Sequence, residues 1–205
     1  MSASLRALGP RGSDRWWSLA SPGYDYTVGL VGWHRWQDAL VSDVASGIVL
    51  DVGCGPAHLA QGLLRRGIDY VGVDRSHTML AHAAHAVRGC GPGRAHLLRA
   101  DLTALPFTDA CFDLVVSTGV LGLLDRRARN TALTEIARVT KGEVRLLEPI
   151  VRGDQHVDRW RWRLLAFVSD QPLELTELQD VGLAPRVVGD SRFAGTYSFV
   201  LATKQ

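Results

Sequence analysis

Three acidic residues stand at equivalent places in this chain, each closing a short apolar run. They are Asp51 in Val49-Leu50-Asp51-Val52, Asp74 after Tyr70-Val71-Gly72-Val73, and Asp101 after His96-Leu97-Leu98-Arg99-Ala100. The first run continues into Gly53-Cys54-Gly55-Pro56-Ala57. Gly53 and Gly55 would admit a ligand to the main chain where a Cβ would collide. A helix opening near Ala57 would offer it free N–H groups and the positive end of a dipole. Pro56 removes a donor that a pyrophosphate would use, and His58 is too bulky for the third glycine of GxGxxG. A nicotinamide dinucleotide is therefore disfavoured, and a ligand carrying an amine and a carboxylate is favoured, with Asp51 facing the amine. Asp74, about twenty residues past the glycine turn, can accept both hydroxyls of a ribose. Asp101 can accept from an adenine amino group beside the Leu102 N–H. Taken singly, Asp74 and Asp101 are as well explained as caps of the turns that follow them. Three acids at the tips of three consecutive strands point to one ligand.

The elements that would position these acids alternate. A helix is expected over Trp33–Ala45, with Trp33, Trp36, Leu40, Val41 and Val44 at helical spacing. Strands follow at 48–50, 70–73, 96–99, 112–117 and 144–147, the last stopped by Pro149. Helices are expected over 57–66, 76–87 (capped by Ser76) and 126–139 (capped by Asp125). That order implies right-handed crossovers and a mostly parallel sheet covered on both faces. Leu173–Val181 reads as a helix, and Arg186–Val188 and Tyr197–Ala202 as strands joined by a glycine-containing turn, which predicts an antiparallel edge.

The 205 residues suit one domain, and 46% hydrophobic with 21% charged residues is the composition of a chain that buries a substantial core. A formal net charge of +2 excludes global electrostatics as a means of holding nucleic acid or membrane. No apolar run approaches the roughly 18 residues of a membrane span, and the first residues lack the apolar centre of a secretory signal. The chain reads as soluble and cytoplasmic. Cys54, Cys90 and Cys111 have no zinc spacing and read as reduced thiols. No metal set is expected: His77, His82 and His85 read as a solvated helix face.

At VLDVGCGPA, YVGVDRSHTML and RADLTALPFTDACFDLVVSTGVL the chain resembles the class I S-adenosylmethionine-dependent methyltransferases, over about residues 33–150 and more loosely to 205. The resemblance implies a doubly wound, Rossmann-like α/β fold of seven strands, mostly parallel, the last antiparallel. It implies S-adenosylmethionine as cofactor and S-adenosylhomocysteine as product. Asp51, Gly53, Cys54 and Gly55 would line the methionine moiety and Asp74 the ribose. Arg75 and Met79 would flank the adenine, Asp101 and Leu102 would read its edge, and Thr118 and Gly119 would lie under the sulfonium.

Three departures stand out: Ala57 for the third glycine, Lys141-Gly142-Glu143 for a longer Lys-Pro-Gly-Gly turn, and Val120-Leu121-Gly122-Leu123 where many relatives carry a histidine. Residues 1–32 would form an N-terminal lid, 33–205 the cofactor-binding domain, and 152–170 a lid or acceptor-pocket insertion. Tyr24, Tyr26, Trp33 and Trp160 are candidates for the acceptor pocket, although packing of helices on the sheet explains each tryptophan equally. A base is needed only if the acceptor must lose a proton. His156, just past the fifth strand, is the first candidate, followed by His34 and Tyr24, against a plain surface role for each. The expected activity is methyl transfer to O, N or S of a small molecule, such as a secondary metabolite or quinone, by a monomer or homodimer without nucleic-acid or membrane partners. The alternative is a cofactor-binding protein that transfers no methyl, a cyclase or regulatory subunit.

Overall fold

A computed structural model describes residues 33–151, 172–190 and 197–204. The chain runs α1 (Trp33–Leu40), β1 (Ile48–Val52), α2 (His58–Arg65), β2 (Asp69–Asp74), α3 (His77–Ala86), β3 (Ala95–Arg99) and β4 (Phe112–Thr118). A 3-10 turn (Leu121–Leu123), α4 (Arg126–Val139), β5 (Thr140–Val151), β6 (Leu173–Glu174), α5 (Leu175–Gln179), β7 (Leu183–Asp190) and β8 (Tyr197–Lys204) follow. Seven strands lie in the order β3-β2-β1-β4-β5-β8-β7, and the short β6 pairs with β5 beside that path. The pairs among β1 to β5 are parallel, and β8 runs antiparallel to both β5 and β7. This is the expected α/β class, with the last strand reversed.

Alternation along the central strands makes two cores. Leu50, Val52 and Val115 pack with Leu133 and Ile136 of α4 on one face, while Val49, Val116 and Tyr70 pack with Leu59, Leu63 and Trp33 on the other. Successive strand side chains point to opposite faces, so a sheet covered on both sides selects near-continuous apolar strands.

Several boundaries differ from expectation, β7 beginning at Leu183 rather than Arg186 among them, and side chains explain some of them. α1 stops at Leu40, because cations take the carbonyls at its end. Arg145 Nη1 donates to Leu40 O at 2.7 Å and also pairs with Asp43. Arg66 donates to the carbonyls of Val41, Ser42 and Val44 at 2.9–3.0 Å. α4 passes into β5 with no intervening loop, and Lys141 of the shortened turn instead bonds Asp113 at 2.6 Å. Leu173 pairs with Ile150 as strand before α5 begins, where Glu174 and Glu177 form a capping box. β5 continues through Pro149, which pairs with Tyr197 near the strand's end; a proline there forfeits a single donor.

Ser76 caps α3 through Met79 N, and Asp125 caps α4 through Ala128 N at 2.9 Å. Asp125→Ala is expected to cost about 1 kcal/mol, read as a fall of roughly 2–4 °C in the thermal midpoint.

Candidate cofactor site

The strand order reverses between β1 and β4, and a crevice at such a switch point, beyond the carboxyl ends of the strands, is where open α/β sheets bind ligands. β1 ends there in Asp51, whose side chain is buried. Its Oδ2 accepts from the Tyr70 hydroxyl at 2.8 Å, and its Oδ1 is buried without a partner. Burial pushes Asp51 up to about 7, with the Tyr70 hydrogen bond opposing and the charge of Asp74 adding to the rise. Cys54, also buried, is held far above the ordinary thiol range and remains a thiol.

The glycine loop is tied to β2, since Gly53 N and Cys54 N both donate to Val73 O, at 2.9 and 3.0 Å. The two glycines serve different ends. A Cβ on Gly53, at φ +71°, would come within 2.6 Å of Val120 Cγ2, so this glycine admits the loop after β4. A Cβ on Gly55, at φ +52°, would meet nothing within 4 Å. Only Gly55 faces open space. Ala57, where a third glycine is usual, adopts φ 60° with its methyl buried. That conformation costs an L-residue roughly 1–2 kcal/mol.

Asp74 ends β2 and binds two turns at once. Its Oδ2 accepts from Gly55 N at 2.9 Å and its Oδ1 from Ser76 N at 2.8 Å. Asp101 accepts from Thr103 N at 2.9 Å and the Thr103 hydroxyl at 2.7 Å, bonds that hold it below the usual carboxylate range. Both acids therefore cap turns, yet a carboxylate has about four lone-pair sites and retains some for a ligand. Met79 and Leu102 are buried, Arg75 is exposed, and Gly119 takes φ +70° after β4. Trp33 packs into the core below α1. His77, His82 and His85 are exposed. Tyr24, Tyr26, His156 and Trp160, with both expected lid segments, lie outside the described residues.

Three residues not singled out from the sequence join this site. Tyr70 is the hydroxyl partner of Asp51. Gln37, buried on α1, donates to Thr118 Oγ1 at 3.0 Å. Glu148, buried in β5, accepts from Ser117 Oγ, Val120 N and Leu121 N at 3.0–3.1 Å, and burial raises its pKa. Each had a legible signal: a polar residue within an apolar stripe or an apolar strand, as in Leu146-Leu147-Glu148. The 3-10 turn that replaces the usual histidine sends Leu121 into the core.

The residues fit S-adenosylmethionine. An orphaned buried carboxylate oxygen suits its ammonium, and the open face of Gly55 leaves room beside the main chain.

A family model described as a methyltransferase domain matches residues 49–143. An uncharacterized methyltransferase of Mycobacterium sp. (strain JLS) is 38% identical over 85 residues, which is 42% of this chain and 32% of that protein. The chain spans between about a third and a half of the length of the curated relatives it matches. Among solved structures, the putative methyltransferase in complex with the Haloferax volcanii Trm112 methyltransferase activator aligns with TM-score 0.70 and 20% identity, covering 95% of this chain and 99% of that one. The magnesium protoporphyrin IX methyltransferase of Synechocystis PCC 6803, with bound S-adenosylhomocysteine, aligns with TM-score 0.67 and 17% identity, over 85% and 84% of the two chains. At those identities the structural likeness speaks for the fold. Residues 49–143, whose glycine loop and strand-end acids build the crevice, are similar to a methyltransferase domain, and the solved methyltransferases share the fold.

Proposed function

We propose that this chain transfers the methyl group of S-adenosylmethionine to O, N or S of a small-molecule acceptor, such as a secondary metabolite or quinone. The observation that carries the reading is Asp51 Oδ1, buried and unpartnered at the switch point beside the open face of Gly55. A lone buried acceptor of this kind is costly unless a charged donor completes it, and an ammonium does so.

When bound, the cofactor supplies a methyl activated on a sulfonium, so the protein must add alignment and exclusion of water. Asp51 receives the ammonium, and Asp74 uses its remaining lone pairs on the ribose hydroxyls. Met79 and Leu102 supply apolar surface around the adenine, and Asp101 meets its amino edge. Gln37 fixes the Thr118 hydroxyl, and Thr118 with Gly119 would hold the sulfonium end of the cofactor. An acceptor that must lose a proton needs a base, and His34 is the candidate among the described residues. No helix among those residues is long and apolar enough to cross a membrane. A monomer or homodimer without nucleic-acid partners accords with the near-zero net charge.

Calorimetric titration with S-adenosylmethionine and S-adenosylhomocysteine, with NADH as control, tests the reading. Wild type should bind both adenosyl compounds and not NADH. Asp74→Ala should bind about 10- to 100-fold more weakly, the worth of one or two charge-assisted hydrogen bonds. A folded protein that binds neither compound refutes the reading. Binding without methylation of any O-, N- or S-acceptor in a broad panel would assign the non-transfer role of a cyclase or regulatory subunit.

A further inference from the structure

Tyr70 and Gly72 stand two apart on β2 and so face the same side of the sheet. Gly72 is level with Asp51 across the β1–β2 pair. A Cβ on Gly72 would lie 2.9 Å from both Cε1 and the hydroxyl oxygen of Tyr70, and 3.0 Å from Cys54 Sγ. The buried Tyr70 ring therefore lies along its own strand, over the bare main chain of Gly72. That path brings its hydroxyl to Asp51 Oδ2 at 2.8 Å. Gly72 does not take a positive φ, so the space above it, and not its conformation, calls for glycine.

The arrangement divides the two carboxylate oxygens of Asp51. Oδ2 takes the phenol, and Oδ1 is buried without a partner. Tyr70 has one proton to give and keeps it, because burial and the charge of Asp51 hold the hydroxyl far above the ordinary tyrosine range. A hydrogen bond donated to a carboxylate favours its charged form. The other influences on Asp51 do not. Burial opposes ionisation, and so does the charge of Asp74 at the end of β2. Cys54, beside the Tyr70 hydroxyl, stays a neutral thiol. On this face β4 and α2 present Leu114, Val116, Leu59 and Leu63, all apolar, and α1 adds the uncharged Gln37. The imidazoles of His34 and His58 lie against each other, ring centroids 3.9 Å apart. Among the described residues, Tyr70 is the group whose contact favours the ionised Asp51.

We propose that Tyr70 is a positioning residue for the cofactor: its hydroxyl, admitted over Gly72, favours the ionised Asp51 and leaves Oδ1 to the ammonium. The inference rests on the methyl-transfer reading. It adds that the pH at which the cofactor binds is set from β2, by a side chain that acts through Asp51.

Two measurements on the whole chain test it: ¹³C NMR titration of the Asp51 carboxyl in the free protein, and calorimetric titration with S-adenosylhomocysteine from pH 6 to pH 9. Tyr70→Phe keeps the ring and removes the donor. The Asp51 midpoint should rise by about one pH unit or more, as expected for the loss of a charge-assisted hydrogen bond. Affinity should fall about tenfold or more at pH 6 and no more than about twofold at pH 9, where Asp51 ionises without help. Gly72→Ala keeps the hydroxyl but fills its path, and should move both readouts in the same direction. The double variant should go no further than Tyr70→Phe, because both changes break one contact. An unmoved midpoint in Tyr70→Phe overturns the proposal. So does a loss of affinity equal at every pH, which is what a ring that merely packs would give. Wild type that binds no S-adenosylhomocysteine overturns the cofactor reading as well, whereas wild-type binding with an unmoved Tyr70→Phe midpoint overturns this inference alone.

Discussion

Asp51→Asn is expected to weaken S-adenosylmethionine about 100-fold or more while making the cofactor-free protein more stable above neutral pH. Removing one partner of a buried ion pair costs about 3–5 kcal/mol, which sets the loss of affinity. The gain in stability has the opposite origin. With its carboxyl raised to about 7 in the fold against about 3.9 unfolded, Asp51 binds its proton more tightly in the native state. Its contribution to the stability of the free protein is therefore fully present below about pH 4 and lost as pH rises to about 7. Three units amount to about 4 kcal/mol, of which an amide with an unpaired N–H gives back about 1–3 kcal/mol. A net gain of about 1–3 kcal/mol near pH 8 follows. The same titration governs binding, because the ammonium needs the ionised carboxylate. Wild-type affinity should fall about tenfold per pH unit below about 7 and fall again above about 8 as the cofactor's amine loses its proton. In Asp51→Asn the acidic limb should vanish. Calorimetry across this range, with thermal melts of the free protein, reads both effects. A wild-type affinity that is flat below neutrality would remove Asp51 from the ammonium.

Glu148→Ala is expected to destabilise the fold by at least about 3 kcal/mol, because it strands the Ser117 hydroxyl and the Val120 and Leu121 amides at about 1–3 kcal/mol each. The side chain is fully buried, so water cannot replace it without entering the core. For a chain of this size the thermal midpoint should fall by about 10 °C. Glu148→Gln keeps a carbonyl in the same place but leaves an NH₂ unpaired where Oε2 has no partner, and should cost about 1–3 kcal/mol. The loop it holds carries Gly119 at φ +70° and places Val120 against Gly53. The alanine variant should therefore also lose cofactor affinity at temperatures where it remains folded, and the glutamine variant should retain it. Equal losses in the two variants, measured by urea unfolding and calorimetry, would count against the carbonyl as the latch.

Local signals carried the elements because they are local physics. Apolar runs of strand length, helix-period stripes and the capping residues Ser76 and Asp125 act over a few residues, and the structure places them as expected. Ends set from a distance were another matter. α1 stops where Arg66 and Arg145 reach it, from about 25 and about 105 positions further along the chain. β5 runs on through Pro149 because β8 is there to pair with it.

The same division runs through the site. By itself the sequence determined the alternating α/β order, the glycine loop and three acids at strand tips, since spacing along a strand dictates which residues reach its end. Tertiary structure decided what each group touches: that Gly53 makes room for Val120 and Gly55 for open space, that Asp51 shares the Tyr70 hydroxyl, and that Gln37 and Glu148 brace the end of β4. Those contacts join residues far apart in the chain, and hydrogen bonds and burial depend on distance in space, which spacing in sequence does not specify.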